Sequence, residues 1–204
     1  MQRKTHWETV YATKPSDTVS WYEAVPTQSM AMLAVAGLSV DSSVVDVGGG
    51  DSLLAGVLVE QGIRSVTVVE LSGAALARAQ ARLGDKAIRV TWLEGDITTL
   101  ALPSTAFDIW HDRAVFHFLT DPDDRARYTA AAARSVRVGG AVVIGTFALD
   151  GPTRCSGLEV AQYSPEGLAA EFGDAFVLRH GVEDVHRTPT GAEQRFAWAV
   201  LTRV

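Results

Sequence analysis

The chain has 204 residues, 18 of them basic and 24 acidic for a formal net charge of −6; 47% of the residues are hydrophobic and 21% charged. That composition excludes a mainly disordered chain, and at roughly 150 residues per domain the expectation is a single globular domain. An acidic balance without any run of Lys and Arg to follow phosphates excludes an ordinary nucleic-acid partner.

The longest apolar stretches, Met30 to Leu38 and Ala141 to Leu149, fall well short of the roughly 20 residues needed to cross a bilayer. The opening MQRKTHWETVYATK has no apolar signal core, so a soluble, cytoplasmic protein with no membrane partner is expected. A single cysteine, Cys155, excludes an internal disulfide and any CxxC knuckle, and no metal is expected.

Residues 1–25 precede the regular pattern and are expected to cap it. From Ser43, SVVDV reads as a buried strand, Leu53 to Val59 is apolar at helical spacing until Gly62, and SVTVVE is a strand again, which makes a β-α-β unit. Ser72 then N-caps a helix that closes at Gly84, followed by the strands IRVTWL and, after Pro103, FDIWH. Asp121-Pro122-Asp123-Asp124 starts another helix, with acids at its positive end, and Arg134 and Arg137 before Gly139-Gly140 mark its stop. AVVIGTFAL is a further buried strand. A polar loop to Tyr163 leads into a short helix, about Pro165 to Phe172. Two strands follow, Phe176 to His186 and Gln194 to Thr202, joined by the turn Thr188-Pro189-Thr190-Gly191. The alternation predicts an α/β fold, a three-layer sandwich around a mostly parallel sheet.

The segment Asp46-Val47-Gly48-Gly49-Gly50-Asp51-Ser52 sits where a strand gives way to a helix, the place for close backbone approach to a nucleotide-type ligand. A dinucleotide fingerprint needs glycine where Leu53 stands, and a phosphate-binding Walker loop needs Gly-Lys-Ser/Thr, which is absent. The loop resembles the D/E-x-G-x-G-x-G/S element of class I S-adenosylmethionine-dependent methyltransferases, with Asp46, Gly48, Gly50 and Ser52 matching. Glu70, followed by Leu71, then stands where that family holds the ribose hydroxyls, and Asp96 and Ile97 of WLEGDI where it reads adenine. The similarity runs from about Ser43 to Leu149. It implies a Rossmann-like, seven-stranded sheet with an antiparallel last strand, S-adenosylmethionine as cofactor and S-adenosylhomocysteine as product. A carboxylate gripping both ribose hydroxyls would repel a 2′-phosphate, which disfavours NADP.

The head, Trp7 through Tyr11 and then Trp21-Tyr22, resembles the W-x-x-x-Y and W-Y/F opening of small methyltransferases related to the thiopurine enzymes and to certain protein-lysine enzymes. That resemblance implies an N-terminal cap closing over the cofactor, with Tyr11 and Trp21 in contact with it.

Topology alone assigns the binding crevice to the loops at the carboxyl ends of the strands. Those loops gather His111, Asp112, His117, Cys155, Tyr163 and His186. Methyl transfer is an in-line displacement that needs near-attack placement, and a base only where the nucleophile arrives protonated. Asp112, His111 and His186 are the catalytic candidates; His111 also counts among the cofactor contacts, and Gln194 joins His186 as an acceptor-pocket candidate. Asp112 has a second reading, as an ion-pair partner of Arg113. Cys155 with His117 and His186 is read as a buried thiol and two histidines in preference to a soft metal site. The expected function is methyl transfer to a small-molecule acceptor. The alternatives are a protein-lysine acceptor, a non-catalytic S-adenosylmethionine-binding protein, and an NAD oxidoreductase.

Overall fold

Four consecutive buried residues, Val44 to Val47, make β1 (Ser43–Val47) an interior strand covered on both faces, as its valine-rich run requires. The computed structural model describes residues 2–204, and of Gln2 the backbone only. In chain order, α1 (Gln2–Thr13) and α2 (Thr27–Val35) precede β1, and α3 (Leu54–Glu60), β2 (Ser65–Glu70), α4 (Gly73–Leu83), β3 (Val90–Glu94) and β4 (Phe107–Arg113) follow it. The chain continues through α5 (Pro122–Ser135), β5 (Val136–Phe147), a small hairpin of β6 (Arg154–Cys155) and β7 (Leu158–Glu159), α6 (Pro165–Phe172), β8 (Phe176–Arg187) and β9 (Glu193–Arg203).

Among the described residues, seven strands form one sheet in the order β3-β2-β1-β4-β5-β9-β8. The first five are mutually parallel, and β9 runs antiparallel to both of its neighbours. The strand order reverses on either side of β1, so the crevice outside its carboxyl end is the topological switch point. Because Phe147 pairs with Phe196, the start of β9 and the turn before it lie at that same edge.

Alternation along the strands builds two cores. Trp110, Val142 and Ile144 face α5 and α6 together with Phe116, Tyr128 and Phe172, while Ile109 and Val143 join Leu33, Leu54, Leu58 and Trp198 on the opposite face. One of the sequence expectations shifts. α5 ends at Ser135, and Val136 to Gly140 already belong to β5, where the register against β4 jumps between Phe107 and Ile109. The glycine pair forms this bulge and does not stop the helix: a Cβ on Gly140 would lie 2.7 Å from the carbonyl oxygen of Asp108. Met30 to Leu38 contributes most of α2, which buries Met32 and Leu33, and AVFHFL makes only the 3-10 turn Phe116–Phe118. No helix among the described residues is long and apolar enough to cross a membrane.

Candidate functional site

The site starts from the glycine loop. Gly48 (φ +63°) and Gly50 (φ +51°) occupy the left-handed region, and the Gly48 N–H donates to the Val69 carbonyl at 2.7 Å, tying the end of β1 to β2. A Cβ on Gly48 would meet Val115 Cγ2 at 2.0 Å, and one on Gly50 would meet the Tyr11 hydroxyl at 2.5 Å. The loop is a cradle with room for backbone only.

Next to it, Glu70 ends β2 with its carboxylate buried. Burial pushes that carboxyl up to about 7, opposed by N–H donors from Ser72, Leu71 and Gly50. One strand further out, Asp96 Oδ1 accepts from the Thr98 backbone at 3.0 Å and the Thr98 hydroxyl at 2.7 Å, which fixes the turn holding Ile97.

Two joined chambers open over these groups. The first holds about 820 Å³ of space between its walls, part of it open to solvent. Its floor is Val47, Gly48, Val69, Leu71 and Ile97, with Glu70 and Asp96 as polar groups and Leu119 and Val115 along one side. Its roof is aromatic: Trp7 lies 5.1 Å from Phe118 and 5.7 Å from Trp21, ring centre to ring centre, and Tyr11 closes the group at 6.3 Å from Trp21. The second chamber, about 700 Å³, is bounded by Ser29, Asp46, Gly49, Ser52 and His111. Tyr11, Trp21, Gly48 and Arg113 border both.

The roof is clipped on from outside. Glu8 of α1 accepts from the Ser72 hydroxyl at 2.9 Å and from the N–H groups of Gly73 and Ala74 at 2.8 and 3.2 Å, putting a carboxylate on the positive end of α4. Arg3 pairs with Asp124 at 2.7 Å, and Arg78 donates to the Lys14 carbonyl at 2.7 Å.

In the second chamber His111 is fully engaged, with Nδ1 2.8 Å from Asp46 Oδ1 and Nε2 3.0 Å from Ser29 Oγ. Asp46 Oδ2 is buried beside Gly49 with no hydrogen-bond partner among the described residues, an acceptor left open at the chamber's wall.

Among the residues expected from sequence, Tyr11, Trp21, Gly48, Glu70, Leu71, Asp96 and Ile97 line the first chamber, and Asp46, Ser52 and His111 the second. Gly50 stands behind Tyr11 and Glu70. Asp112 departs from its expected role as base. It has no solvent exposure, and its oxygens accept from the N–H groups of Val115 and Phe116 and from the Tyr128 hydroxyl, so it holds the turn and faces no chamber. It does not pair with Arg113 either, because Arg113 turns the other way, to Glu23 at 3.1 Å. His186 and Gln194 line neither chamber; the His186 Nε2–H donates to the Ser20 carbonyl at 2.7 Å. His117 is sealed in the core and burial lowers it to about 3, while Tyr163 packs on Phe116. Cys155 does reach the first chamber, with burial raising its thiol to about 11. Among the described residues, no group of three His, Cys, Asp or Glu side chains could hold a metal. The sequence reading missed Ser29, Phe118 and Glu8, whose contacts with His111, Trp7 and Ser72 are made across 64 or more residues and leave no local pattern.

An apolar slot with a diol-sized carboxylate, joined over a glycine cradle to a chamber with an unpaired acid, suits a nucleoside that carries an amino-acid tail. Fold and site together define a class I methyltransferase architecture. Residues 45–144, which include the cradle, Glu70 and Asp96, match the family model described as a methyltransferase domain. That match spans just under half of the chain, and the methyl donor such a domain implies is S-adenosylmethionine. No curated protein matches its sequence. Among solved structures, one described by the conversion of a disulfide bond into a thioacetal group during echinomycin biosynthesis is 20% identical, covering 98% of this chain and 93% of its own, with a TM-score of 0.81. A S-adenosylmethionine-dependent methyltransferase from Methanosarcina mazei is 15% identical over 90% and 99%, with a TM-score of 0.71. The [4+2]-cyclase SpnF is 16% identical over 98% and 94%, with a TM-score of 0.74. At these identities the likeness is one of fold.

Proposed function

We propose that the chain transfers the methyl group of S-adenosylmethionine to a small-molecule acceptor by in-line displacement. The observation that carries this reading is the enclosure of the cavity. Trp7, Tyr11, Trp21 and Phe118 roof it, and Arg113 and Cys155 border its far end. An aromatic roof of this kind suits a compact acceptor. Two structural neighbours are described in terms of small-molecule chemistry, echinomycin biosynthesis and a [4+2] cyclisation, which agrees with this reading.

When bound, S-adenosylmethionine supplies an electrophilic methyl group on a sulfonium centre. Glu70 would hold the ribose hydroxyls, Asp96 and Ile97 the adenine edge, and Asp46, with His111 behind it, the amino-acid end. The aromatic roof excludes water and offers π faces to a cation, and shared borders at Gly48, Tyr11 and Trp21 put the reacting centre between the chambers.

The test is incubation with methyl-labelled S-adenosylmethionine and a panel of small thiols, amines, phenols and carboxylic acids, beside a lysine-rich protein mixture, read by mass spectrometry. Label in a small molecule is expected. Label confined to protein would overturn the reading.

A further inference from the structure

The segment 19–23, which crosses from the 3-10 turn after α1 towards α2, is met by side chains from three separate strands. His186 of β8 donates from Nε2 to the Ser20 carbonyl at 2.7 Å. Arg113, at the end of β4, donates from Nη1 to the Trp21 carbonyl at 2.9 Å. Cys155 of β6 lies beside the Ser20 side chain. Glu23 closes the arrangement, with Oε1 3.1 Å from Arg113 Nη2 and 3.5 Å from His186 Nδ1. The ring of Phe196 on β9 packs against both side chains, with the Arg113 guanidinium 5.2 Å above its centre and the His186 ring edge-on at 6.1 Å.

What this strap carries is Trp21, whose side chain borders both chambers and packs against Trp7 and Tyr11. Residues 19–23 belong to no helix or strand, so no regular backbone ladder holds them. His186 and Arg113 bond its carbonyls instead. His186 is buried yet lines neither chamber, so a role in touching the acceptor does not suit it, whereas an anchoring role uses the contact it makes.

We propose that His186 is a positioning residue, the anchor that keeps the 19–23 strap down and thereby holds Trp21 over the point where the two chambers meet. It acts on ligand retention through Ser20 and Trp21. The inference rests on the cofactor reading, because the ligand retained is the one that spans both chambers.

The critical atom is Nε2, since the bond it makes is to a backbone carbonyl and needs a donor there. His186→Gln places an amide N–H at similar reach, and His186→Ala removes it. Two measurements follow. In the ligand-free protein, hydrogen exchange of residues 19–23 should quicken in His186→Ala and return to the wild-type rate in His186→Gln, with the sheet unchanged in both. By stopped-flow tryptophan fluorescence, S-adenosylhomocysteine should leave His186→Ala at least about fivefold faster than wild type, the factor for one lost hydrogen bond, and leave His186→Gln within about twofold. His180→Ala, at an exposed position of the same strand, serves as the control and should match wild type. Glu23→Gln, which keeps the shape and removes the charge, should also speed release and replaces the alanine variant should that fail to fold. Unchanged strap exchange and release in His186→Ala, or a glutamine variant no better than alanine, would overturn the proposal. Failure of the wild type to bind S-adenosylhomocysteine would instead sink the cofactor reading, and the exchange measurement in the free protein would still decide whether His186 anchors the strap.

Discussion

The hydroxyl of Tyr128 donates to Oδ2 of Asp112 across 2.5 Å, at a point where neither residue has any solvent exposure. The same carboxylate accepts from the Val115 N–H at 2.8 Å and the Phe116 N–H at 3.1 Å. It therefore fixes the turn that sends Val115 and Phe118 to the chamber wall and leaves no oxygen for a substrate. Burial still pushes the Asp112 carboxyl up to about 6, against these bonds. Asp112→Ala should lower folding stability by about 3 kcal/mol and Tyr128→Phe by about 1.5 kcal/mol, the scale of hydrogen bonds to a charged group. Chemical denaturation measures both. An Asp112→Asn variant of unaltered stability with no turnover would return Asp112 to the role of base.

Glu70 sets a pH dependence with a definite sign. Its folded value, about 7, lies above its ordinary one because burial penalises the charge. The protonated folded form is favoured, so this group's contribution to stability is fully present at pH 4 and is lost as the pH rises through 7. Ligand binding runs the other way, because two ribose hydroxyls donate best to an ionised carboxylate. Between pH 6 and 8 the affinity for S-adenosylhomocysteine should rise by about tenfold, following the ionised fraction. Calorimetry across that range tests it, and Glu70→Gln should flatten the profile. A flat profile in the wild type would remove Glu70 from the ribose.

Glu8 predicts a separable effect on the roof. Despite some burial, which acts upwards, N–H donors at Gly73 and Ala74 and the Ser72 hydroxyl hold its carboxyl below the usual range. Its contribution to α1 docking is thus present above about pH 4.5 and lost as the pH falls further. Since α1 carries Trp7 and Tyr11, Glu8→Ala should cost S-adenosylhomocysteine about tenfold in affinity, while the melting temperature falls by no more than a few degrees. Loss of all cooperative melting would show that α1 belongs to the core and is not a clip.

These contacts also mark how far the sequence could be read. The strands β1, β2 and β4 and the caps Ser72 and Asp121 are local signals, and each caps or pairs as its own residues dictate. Gly48, Glu70 and Asp96 were legible because backbone approach and strand-end carboxylates recur at fixed offsets along the chain. Asp112 was misjudged because its position at the carboxyl end of β4 said where the residue was but not where its side chain turned. That direction is set by Tyr128, one helix away. Ser29, Glu8 and the His186 bond to Ser20 are decided by how the head folds back over the sheet, across 64 to 166 residues in the case of the last two.

His111 offers the sharpest division between a base and a positioning role. Its Nδ1–H donates to the Asp46 carboxylate, which can only accept, and Nε2 shares a hydrogen bond with the Ser29 hydroxyl. Both nitrogens are spent, while Asp46 keeps Oδ2 unpaired towards the second chamber. In the positioning role His111 orients Asp46 for the amino-acid end of the ligand. His111→Ala should then weaken S-adenosylhomocysteine by about tenfold, about 1.4 kcal/mol, and leave 5′-methylthioadenosine, which lacks that end, bound as in wild type. Ser29→Ala frees Nε2 and should leave turnover unchanged, whereas a working base would gain from the release. Equal losses for the two ligands in His111→Ala would point to a collapse of the glycine cradle, and a faster Ser29→Ala enzyme would identify His111 as the base.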